Sequence, residues 1–129
     1  MVGKKKLPNV LPPKVPEPVP AAFWMTEAGN EPVRDWLRSL DKTERVEIGD
    51  HLRTLQFAWP VGMPLNRPLG KGLHELRVTL PTAKIARLIF THYNGTLVIL
   101  HGFIKKDQKT PKSDLELARK RKKDLESAS

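Results

Sequence analysis

The chain contains no cysteine, and this absence excludes both a disulfide framework and a thiolate metal site. None of its four histidines stands at the spacing of metal ligands, so the sequence predicts no metal and no cofactor. No apolar run approaches membrane-spanning length, and the lysines at 4–6 are followed by prolines rather than by the apolar segment of a signal peptide. These absences favour a cytoplasmic protein with no membrane contact.

Acidic residues are outnumbered, with 14 Asp and Glu against 23 Lys and Arg, which gives a net charge of +9. Residues 60–112 hold nine of the basic residues and two of the acidic ones, so the excess lies within the folded core rather than in a tail. A basic core favours a polyanionic partner, and nucleic acid is favoured over a membrane surface. A solvated basic face is the alternative that composition leaves open.

The domain organisation follows from length and from proline. A chain of 129 residues is long enough for one domain with a core. Six prolines within residues 1–20 predict a disordered, Pro- and Lys-rich lead, with a polyproline-II ligand for a partner as the alternative. The predicted domain spans residues 21–125 and opens with a short strand at 21–26, and residues 126–129 form a tail.

Two helices are predicted next. Asn30 is expected to cap the first, with Pro32 in its first turn, and Asp41 is expected to cap the second, with Glu44 three residues on. Apolar residues recur at helical spacing along both helices until Pro60 ends the second. The pattern predicts a helical hairpin with one apolar side.

The following segment changes to the period of strands. Residues 61–72 are rich in Gly and Pro and are predicted to be loop, whereas residues 73–80 alternate as a half-buried strand does. Residues 84–91 and 97–104 are predicted to be strands joined by a hairpin at Asn94-Gly95. Since the last of these strands is apolar on both faces, it should be central and covered on both sides.

A last helix is predicted to open at Thr110, as its cap, and Pro111, as its first residue. The helix is weakly amphipathic, and its basic run at 119–123 is expected to be solvated. The predicted fold class is therefore α+β, with a small antiparallel sheet packed by an N-terminal helical hairpin and followed by a C-terminal helix.

The strand at 97–104 runs into a cluster of lysines, and a sheet rim with this charge is suited to holding phosphate. Cleaving RNA without a metal requires a base for the 2′-hydroxyl, an acid for the leaving 5′-oxygen and cations for the phosphorane. The candidate residues for these roles are Arg77, Lys84, Arg87, His101, Lys105, Lys106 and Lys109.

Each candidate has a structural alternative. His101 stands in an otherwise apolar strand and is either a core histidine or a catalytic base. Arg87 has apolar neighbours on both faces of its strand, which favours a function, whereas Arg77 is either a ligand-binding residue or the partner of Glu75 or of a helix carboxylate. His74 is expected at the surface. Composition and spacing do not separate a ribonuclease from a passive RNA-binding protein.

Four runs of the sequence are VRDWLRSL (33–40), FAWPVGMPLNRPLGKGLHELRV (57–78), AKIARLIF (83–90) and LVILHGFIKKDQKTPKSDLELARKR (97–121). Together they closely resemble the phage-derived HigB-like branch of the RelE/HigB toxin superfamily, and HGFIKK followed by KTP is the most specific part. The resemblance implies a RelE-like fold and the toxin of a type II toxin–antitoxin module. Such toxins are commonly metal-independent endoribonucleases that cut mRNA at the ribosome, inhibit translation and are neutralised by a protein antitoxin.

The resemblance also assigns residues. The family's GL-x-ELR signature falls on 72–77, its strand arginine on Arg87, and its basic segment on Lys105 and Lys106. Glu75 stands where the better-known RelE pattern has a lysine, and the last strand lacks the RelE tyrosine, so the roles of acid and base do not transfer. We assign phosphate stabilisation to Arg87 and Lys105, and proton transfer to His101 or Lys84. The residues assigned to RNA binding are Arg77, Lys106, Lys109, Lys71 and His74.

The implied partners are a cognate antitoxin, in a hetero-oligomer, together with mRNA and the ribosome. DNA would be contacted only through the antitoxin complex. The antitoxin is expected to cover the basic face, because a carboxylate-bearing segment can displace RNA from the same cations. Two other functional hypotheses remain open. One is a basic RNA- or ribosome-binding module without catalytic activity, and the other is a purely structural partner subunit.

Overall fold

The computed structural model describes residues 17–60, 65–105 and 110–128. It confirms the predicted α+β class. The elements in chain order are β1 (Ala21–Phe23), α1 (Pro32–Ser39), α2 (Lys42–Ala58), β2 (Asn66–Gly70), β3 (Leu73–Thr79), β4 (Ile85–Tyr93), β5 (Thr96–Lys105) and α3 (Lys112–Ala128).

The strands form one sheet in the order β1-β5-β4-β3-β2, in which β1 pairs with β5 in parallel and the other pairs are antiparallel. Helices α1 and α2 cover one face of the sheet and α3 covers the other. Within β5, Leu97 and Ile99 face the first layer, whereas Val98 and Leu100 face the second. The prediction that this strand is covered on both sides is confirmed.

The helix caps were predicted with mixed success. Asp41 caps α2, since its Oδ1 accepts from the backbone N–H of Glu44 at 2.9 Å. The N-cap of α1 is Glu31 rather than Asn30. The backbone of Asn30 is used in a turn instead, where its carbonyl accepts from the N–H of Thr26 at 2.7 Å and its N–H donates to the hydroxyl of that residue at 2.9 Å.

The predicted loop at 61–72 is wrong for most of its described part, because Asn66–Gly70 forms β2 at the edge of the sheet. Pro68 is tolerated there, since an edge strand can leave one side of its backbone unpaired. Lys71 and Gly72 turn the chain into β3 with φ of 52° and 79°, the left-handed conformation of a two-residue hairpin. Residues 61–64 lie outside the described residues.

Strand β3 is more deeply buried than its alternating pattern predicted. Leu76 and Val78 contribute to the core under α1 and α2, but Leu73 and Glu75 on the opposite face are buried as well. The half-buried interpretation is therefore wrong for the first half of this face, where α3 packs on Leu73 and Thr110 contacts Glu75, and holds only at Arg77 and Thr79.

The hairpin predicted at Asn94-Gly95 joins β4 to β5 as expected, and both residues have positive φ, 48° and 75°. The register of this pair then shifts once. Ile89 pairs with His101 and Phe90 with Ile99, so that Leu100 is the extra residue of a β-bulge. The bulge places the side chains of both Leu100 and His101 on the α3 side of the sheet.

Helix α3 begins at Lys112, so the residue before it is Pro111 rather than Thr110, and the carbonyl of Pro111 accepts from the N–H of Leu115 at 3.0 Å. The Thr110 hydroxyl donates instead to a carboxylate oxygen of Glu75 on β3. The basic run at 119–123 is not wholly solvated, because Arg121 is half-buried and donates through Nη1 to the carbonyl of Leu100 at 2.8 Å. A positive charge thus ties α3 to the bulged part of β5.

The last residues of the predicted N-terminal lead are hydrogen-bonded to α2. The N–H of Val19 donates to the carbonyl of Gln56 at 2.8 Å, and the Gln56 amide donates to the carbonyl of Val19 at 3.0 Å. The prediction for residues 1–16 lies outside the described residues. None of the helices found within the described ranges has the length and apolarity that a membrane span requires.

Candidate functional site

Polar and charged side chains gather between the sheet and the start of α3, on one face of β3, β4 and β5. The register explains the grouping, because Glu75 and His101 lie on either side of Ile89, and Arg77 lies directly opposite Arg87. We call this set the polar layer. Its members are Glu75, Arg77, Arg87, His101, Thr110 and Asp114.

Glu75 is the centre of one half of the polar layer. Its side chain is fully buried, and its Oε1 accepts from the Nε of Arg77 at 2.9 Å. Its Oε2 accepts from the hydroxyl of Thr110 and lies 3.9 Å from Nη1 of Arg87. A buried carboxylate is costly unless it is paired and hydrogen-bonded, and these three contacts supply that compensation.

The two arginines differ in exposure. Arg87 has no exposed side-chain surface, whereas the side chain of Arg77 is 31% exposed. In this arrangement Arg87 neutralises Glu75 and offers no surface to a phosphate, so its direct contact with RNA stays a prediction that the geometry does not favour. Arg77 is held by the same carboxylate and reaches solvent, and it is the better placed of the two to meet an anion.

His101 and Asp114 form the other half of the polar layer. Nε2 of His101 lies 2.7 Å from Oδ1 of Asp114 on α3, and the two side chains are 15% and 18% exposed. The ring of Phe103 stacks on the imidazole with centroids 5.4 Å apart. Of the two interpretations of His101, the packing favours neither alone, since the ring is anchored yet still reaches the surface.

His101 also lines a cleft of about 200 Å³ that we call the α1 cleft, whose other lining residues are Pro32, Val33, Trp36, Gly102 and Arg121. Gly102 is required there, because a Cβ on it would lie 2.5 Å from Cζ3 of Trp36. Burial lowers the pKa of Arg121, which remains charged because an arginine titrates far above neutral pH.

Lys84 and Lys105 lie at one end of the sheet, where Ile85 at the start of β4 pairs with Lys105 at the end of β5. Lys84 is exposed. The partner of His101 on β4 is Ile89, five positions from Lys84, which is roughly 16 Å along the strand. The two candidates for proton transfer are therefore not brought together.

Several predicted RNA-binding residues lie away from the polar layer or outside the described residues. Lys71 is exposed in the turn before β3, six positions from Arg77 and so roughly 20 Å along the strand. The side chain of Lys105, together with Lys106 and Lys109, lies outside the described residues. Their assignments stay predictions.

His74 faces the opposite side of the sheet. Its ring stacks on Phe90 with centroids 5.4 Å apart and meets the edge of Trp59 at 4.9 Å. Burial and then the charge of His92 lower its pKa, and its Nδ1 has no hydrogen-bond partner among the residues that the structure describes. His74 is thus a packed aromatic residue rather than a member of the polar layer.

Sequence reasoning missed three contributors to the site. Asp114 is 13 residues from His101, and no local pattern connects them. Thr110 was interpreted as a helix cap, and Arg121 as part of a solvated run. Glu75 was considered as a partner of Arg77, and that alternative is confirmed.

Within the described part of the chain, no three His, Asp or Glu side chains converge as metal ligands do.

The fold and the polar layer together define a small α+β domain that joins two guanidinium groups and a His–Asp pair on one sheet face. The chain belongs to the family of phage-derived Gp49-like proteins, which matches residues 35–123 and so includes every member of the polar layer. No curated protein matches the chain. The family is consistent with a toxin-like protein of phage origin.

Proposed function

We propose that this protein is the toxin of a type II toxin–antitoxin module and acts as a metal-independent endoribonuclease that cuts mRNA at the ribosome. One observation supports this function above others. His101, anchored by Asp114, shares a sheet face with the partly exposed Arg77, and residues 60–112, which hold both, carry nine basic and two acidic side chains. A proton acceptor and a cation on one face of the sheet are two of the three requirements of RNA cleavage without a metal.

In the proposed reaction His101 accepts the proton of a 2′-hydroxyl, and Arg77 stabilises charge on the phosphorane. Arg77 can do so because its guanidinium is fixed by Glu75 yet keeps exposed surface. A positioned donor costs little reorganisation when charge develops, which is the main source of such stabilisation. Arg87 contributes by offsetting the negative charge of Glu75. The carboxylate then does not cancel the positive charge of Arg77.

Lys84 and the lysines at 105, 106 and 109 are proposed to bind the RNA backbone rather than to transfer protons. Lys84 is exposed at the end of the sheet and is too far along β4 to share one phosphate with His101. Backbone contacts of this kind would make RNA binding weaken with salt. No cofactor is required by this scheme.

A cognate antitoxin is the proposed partner. Carboxylates of an antitoxin segment would pair with Arg77 and Lys84 and so displace the phosphates of RNA. Inhibition and RNA binding would then be competitive. The family membership is consistent with such a partner, since toxin-like proteins of this kind act in pairs with antitoxins.

A basic module that binds RNA or the ribosome without cutting is the second candidate. The burial of Arg87 favours this binding module, because a fully buried arginine of the polar layer has no access to substrate in this arrangement. Both candidates would stop translation. Only mapped cleavage ends distinguish them.

The test is to express the full chain briefly in cells and to map new 5′ ends on mRNAs. Arg77→Ala is the variant of choice, because Glu75 keeps Arg87 and Thr110 as partners when Arg77 is removed. Arg119→Ala is the matched control, an exposed arginine on α3. New ends inside reading frames, in phase with codons, should appear with the wild type and the control and be lost with Arg77→Ala. Arrested translation without new ends would replace the nuclease by the binding module.

A further inference from the structure

Asp114 stands in the first turn of α3 and contacts a single ring nitrogen of His101. We infer that Asp114 is a positioning residue, which fixes His101 in the tautomer protonated at Nε2 and leaves Nδ1 as the proton acceptor. The inference rests on the proposed function for its catalytic consequence, but the tautomer itself can be measured without any activity.

The hydrogen bond selects the tautomer. An ionised carboxylate only accepts hydrogen bonds, so at 2.7 Å from Oδ1 the Nε2 of a neutral His101 must carry the proton. The lone pair is then on Nδ1, which has no hydrogen-bond partner among the described residues. Among the residues that the structure describes, none therefore competes with a ligand for the basic nitrogen.

The surrounding packing fixes the orientation of the ring. The bulge at Leu100 turns His101 toward α3, and Phe103 stacks on the imidazole. Without the bulge, strict alternation after Leu100 would place His101 on the α1 side of the sheet, away from Asp114. Two independent features of β5 therefore serve the same pairing.

The α1 cleft beside His101 indicates what the base acts on. Its volume of about 200 Å³ is below that of pockets that enclose whole small-molecule ligands, and it suits one sugar of a longer chain. Trp36 supplies an apolar wall, and the positive charge of Arg121 lies at the same cleft. A ribonucleotide within an RNA chain, with its 2′-hydroxyl toward His101, is the ligand class that these groups fit.

The proposed cleavage is an attack of the neighbouring 2′-oxygen on phosphorus. The proton of the 2′-hydroxyl passes to Nδ1 of His101 while the 2′-oxygen bonds to phosphorus. The bond from phosphorus to the 5′-oxygen breaks, and that oxygen takes a proton from water. The imidazolium proton then neutralises the hydroxide left behind. Asp114 stabilises the imidazolium during the step without itself taking the proton.

The variant for the test is Asp114→Asn, which keeps the size of the side chain but can donate to Nε2 and so permits the tautomer protonated at Nδ1. Glu116→Gln is the matched control, because it removes an exposed carboxylate of the same helix that pairs with Lys112 and not with His101. The readouts are the ¹⁵N chemical shifts of His101 in the full-length protein, and kcat and KM for cleavage of mRNA on translating ribosomes.

The wild type and Glu116→Gln should show Nε2 protonated, and Asp114→Asn should shift the population toward Nδ1. We expect kcat of Asp114→Asn to fall by roughly 10²–10⁴-fold with little change in KM, as for the loss of a general base. A wild type protonated at Nδ1, or an unchanged tautomer in the variant, would overturn the inference. A shifted tautomer with full kcat would overturn its catalytic part. A wild type that cuts nothing contradicts the proposed function instead, and the tautomer still decides whether Asp114 orients the ring.

Discussion

Glu75 and Arg77 lie two positions apart on β3, on the same face of the strand, and the Nε of Arg77 donates to Oε1 of Glu75 at 2.9 Å. The contact joins a fully buried carboxylate to a guanidinium that reaches solvent. The carboxylate is in turn contacted by Arg87 on β4 and by Thr110, two residues before the start of α3. The position of the exposed cation is therefore determined by buried groups.

Replacing Glu75 by Gln should destabilise the fold. The change leaves Arg87 buried beside a neutral amide, and breaking a buried pair in this way costs about 3–5 kcal/mol. Glu116→Gln, which removes an exposed ion pair, should cost less than about 1 kcal/mol. Urea unfolding of the two variants checks this, and equal losses would show that Glu75 is not essential to the polar layer.

Arg87→Ala should destabilise the fold, and any loss of function would follow from that loss of stability. The assignment of phosphate stabilisation to Arg87 implies that Arg87→Ala loses activity in a folded protein. Full burial against Glu75 predicts instead a loss of about 3–5 kcal/mol, because the carboxylate loses a charged partner. Arg119→Ala should stay within about 0.5 kcal/mol of the wild type. The measurement is urea unfolding of both variants before any activity assay. A free energy of unfolding of Arg87→Ala equal to that of the wild type would refute the prediction.

Local sequence signals predicted the parts of the fold that local physics determines. The cap at Asp41 and the hairpin at Asn94-Gly95 each depend on a few adjacent residues, and both are present. The buried strand at 97–104 was recognised by its apolar composition. Strand β2 was missed because its proline and its glycine are typical of turns, and only pairing with β3 makes this segment an edge strand.

The polar layer could be predicted only in part for the same reason. The sequence singles out Arg77 and Arg87, and both lie in the polar layer, but their common partner Glu75 becomes essential only through its burial. The pairing of His101 with Asp114 requires both a one-residue bulge and the docking of α3. Neither has a signature in a single sequence, so the orienting carboxylate could not be found.

Stability should fall in mild acid because of His74. Its pKa is lowered in the folded protein from the ordinary 6.5, first by burial and then by His92. Between the folded pKa and 6.5 the unfolded chain binds more protons, so stability decreases as pH falls through this window and the term vanishes above it. His74→Phe keeps the aromatic packing and should lose this part of the pH dependence.

The measurement is urea unfolding of the wild type and His74→Phe at about pH 7.5 and about pH 5.5, since the difference between the proteins isolates one group from all other titrations. His51→Gln is the control, because His51 is half-exposed on α2 and its ring contacts Glu47, one turn earlier on the same helix. The same acid loss in all three proteins would assign the effect to other groups.

Gly102→Ala and Gly49→Ala should change stability in opposite directions. A Cβ at Gly102 would lie 2.5 Å from Cζ3 of Trp36, so the indole must shift, at a cost of about 1–3 kcal/mol. A Cβ at Gly49, inside α2, meets nothing within 4 Å. Alanine there should stabilise the helix by about 0.5–1 kcal/mol, because it reduces the backbone entropy of the unfolded chain. Unfolding in urea measures the stability of both variants. An unchanged free energy of unfolding for Gly102→Ala would contradict the prediction and would mean that Trp36 is free to move away from β5. Since Trp36 and Gly102 both line the α1 cleft, Gly102→Ala should also alter the shape of that cleft and weaken RNA cleavage more than its stability loss explains.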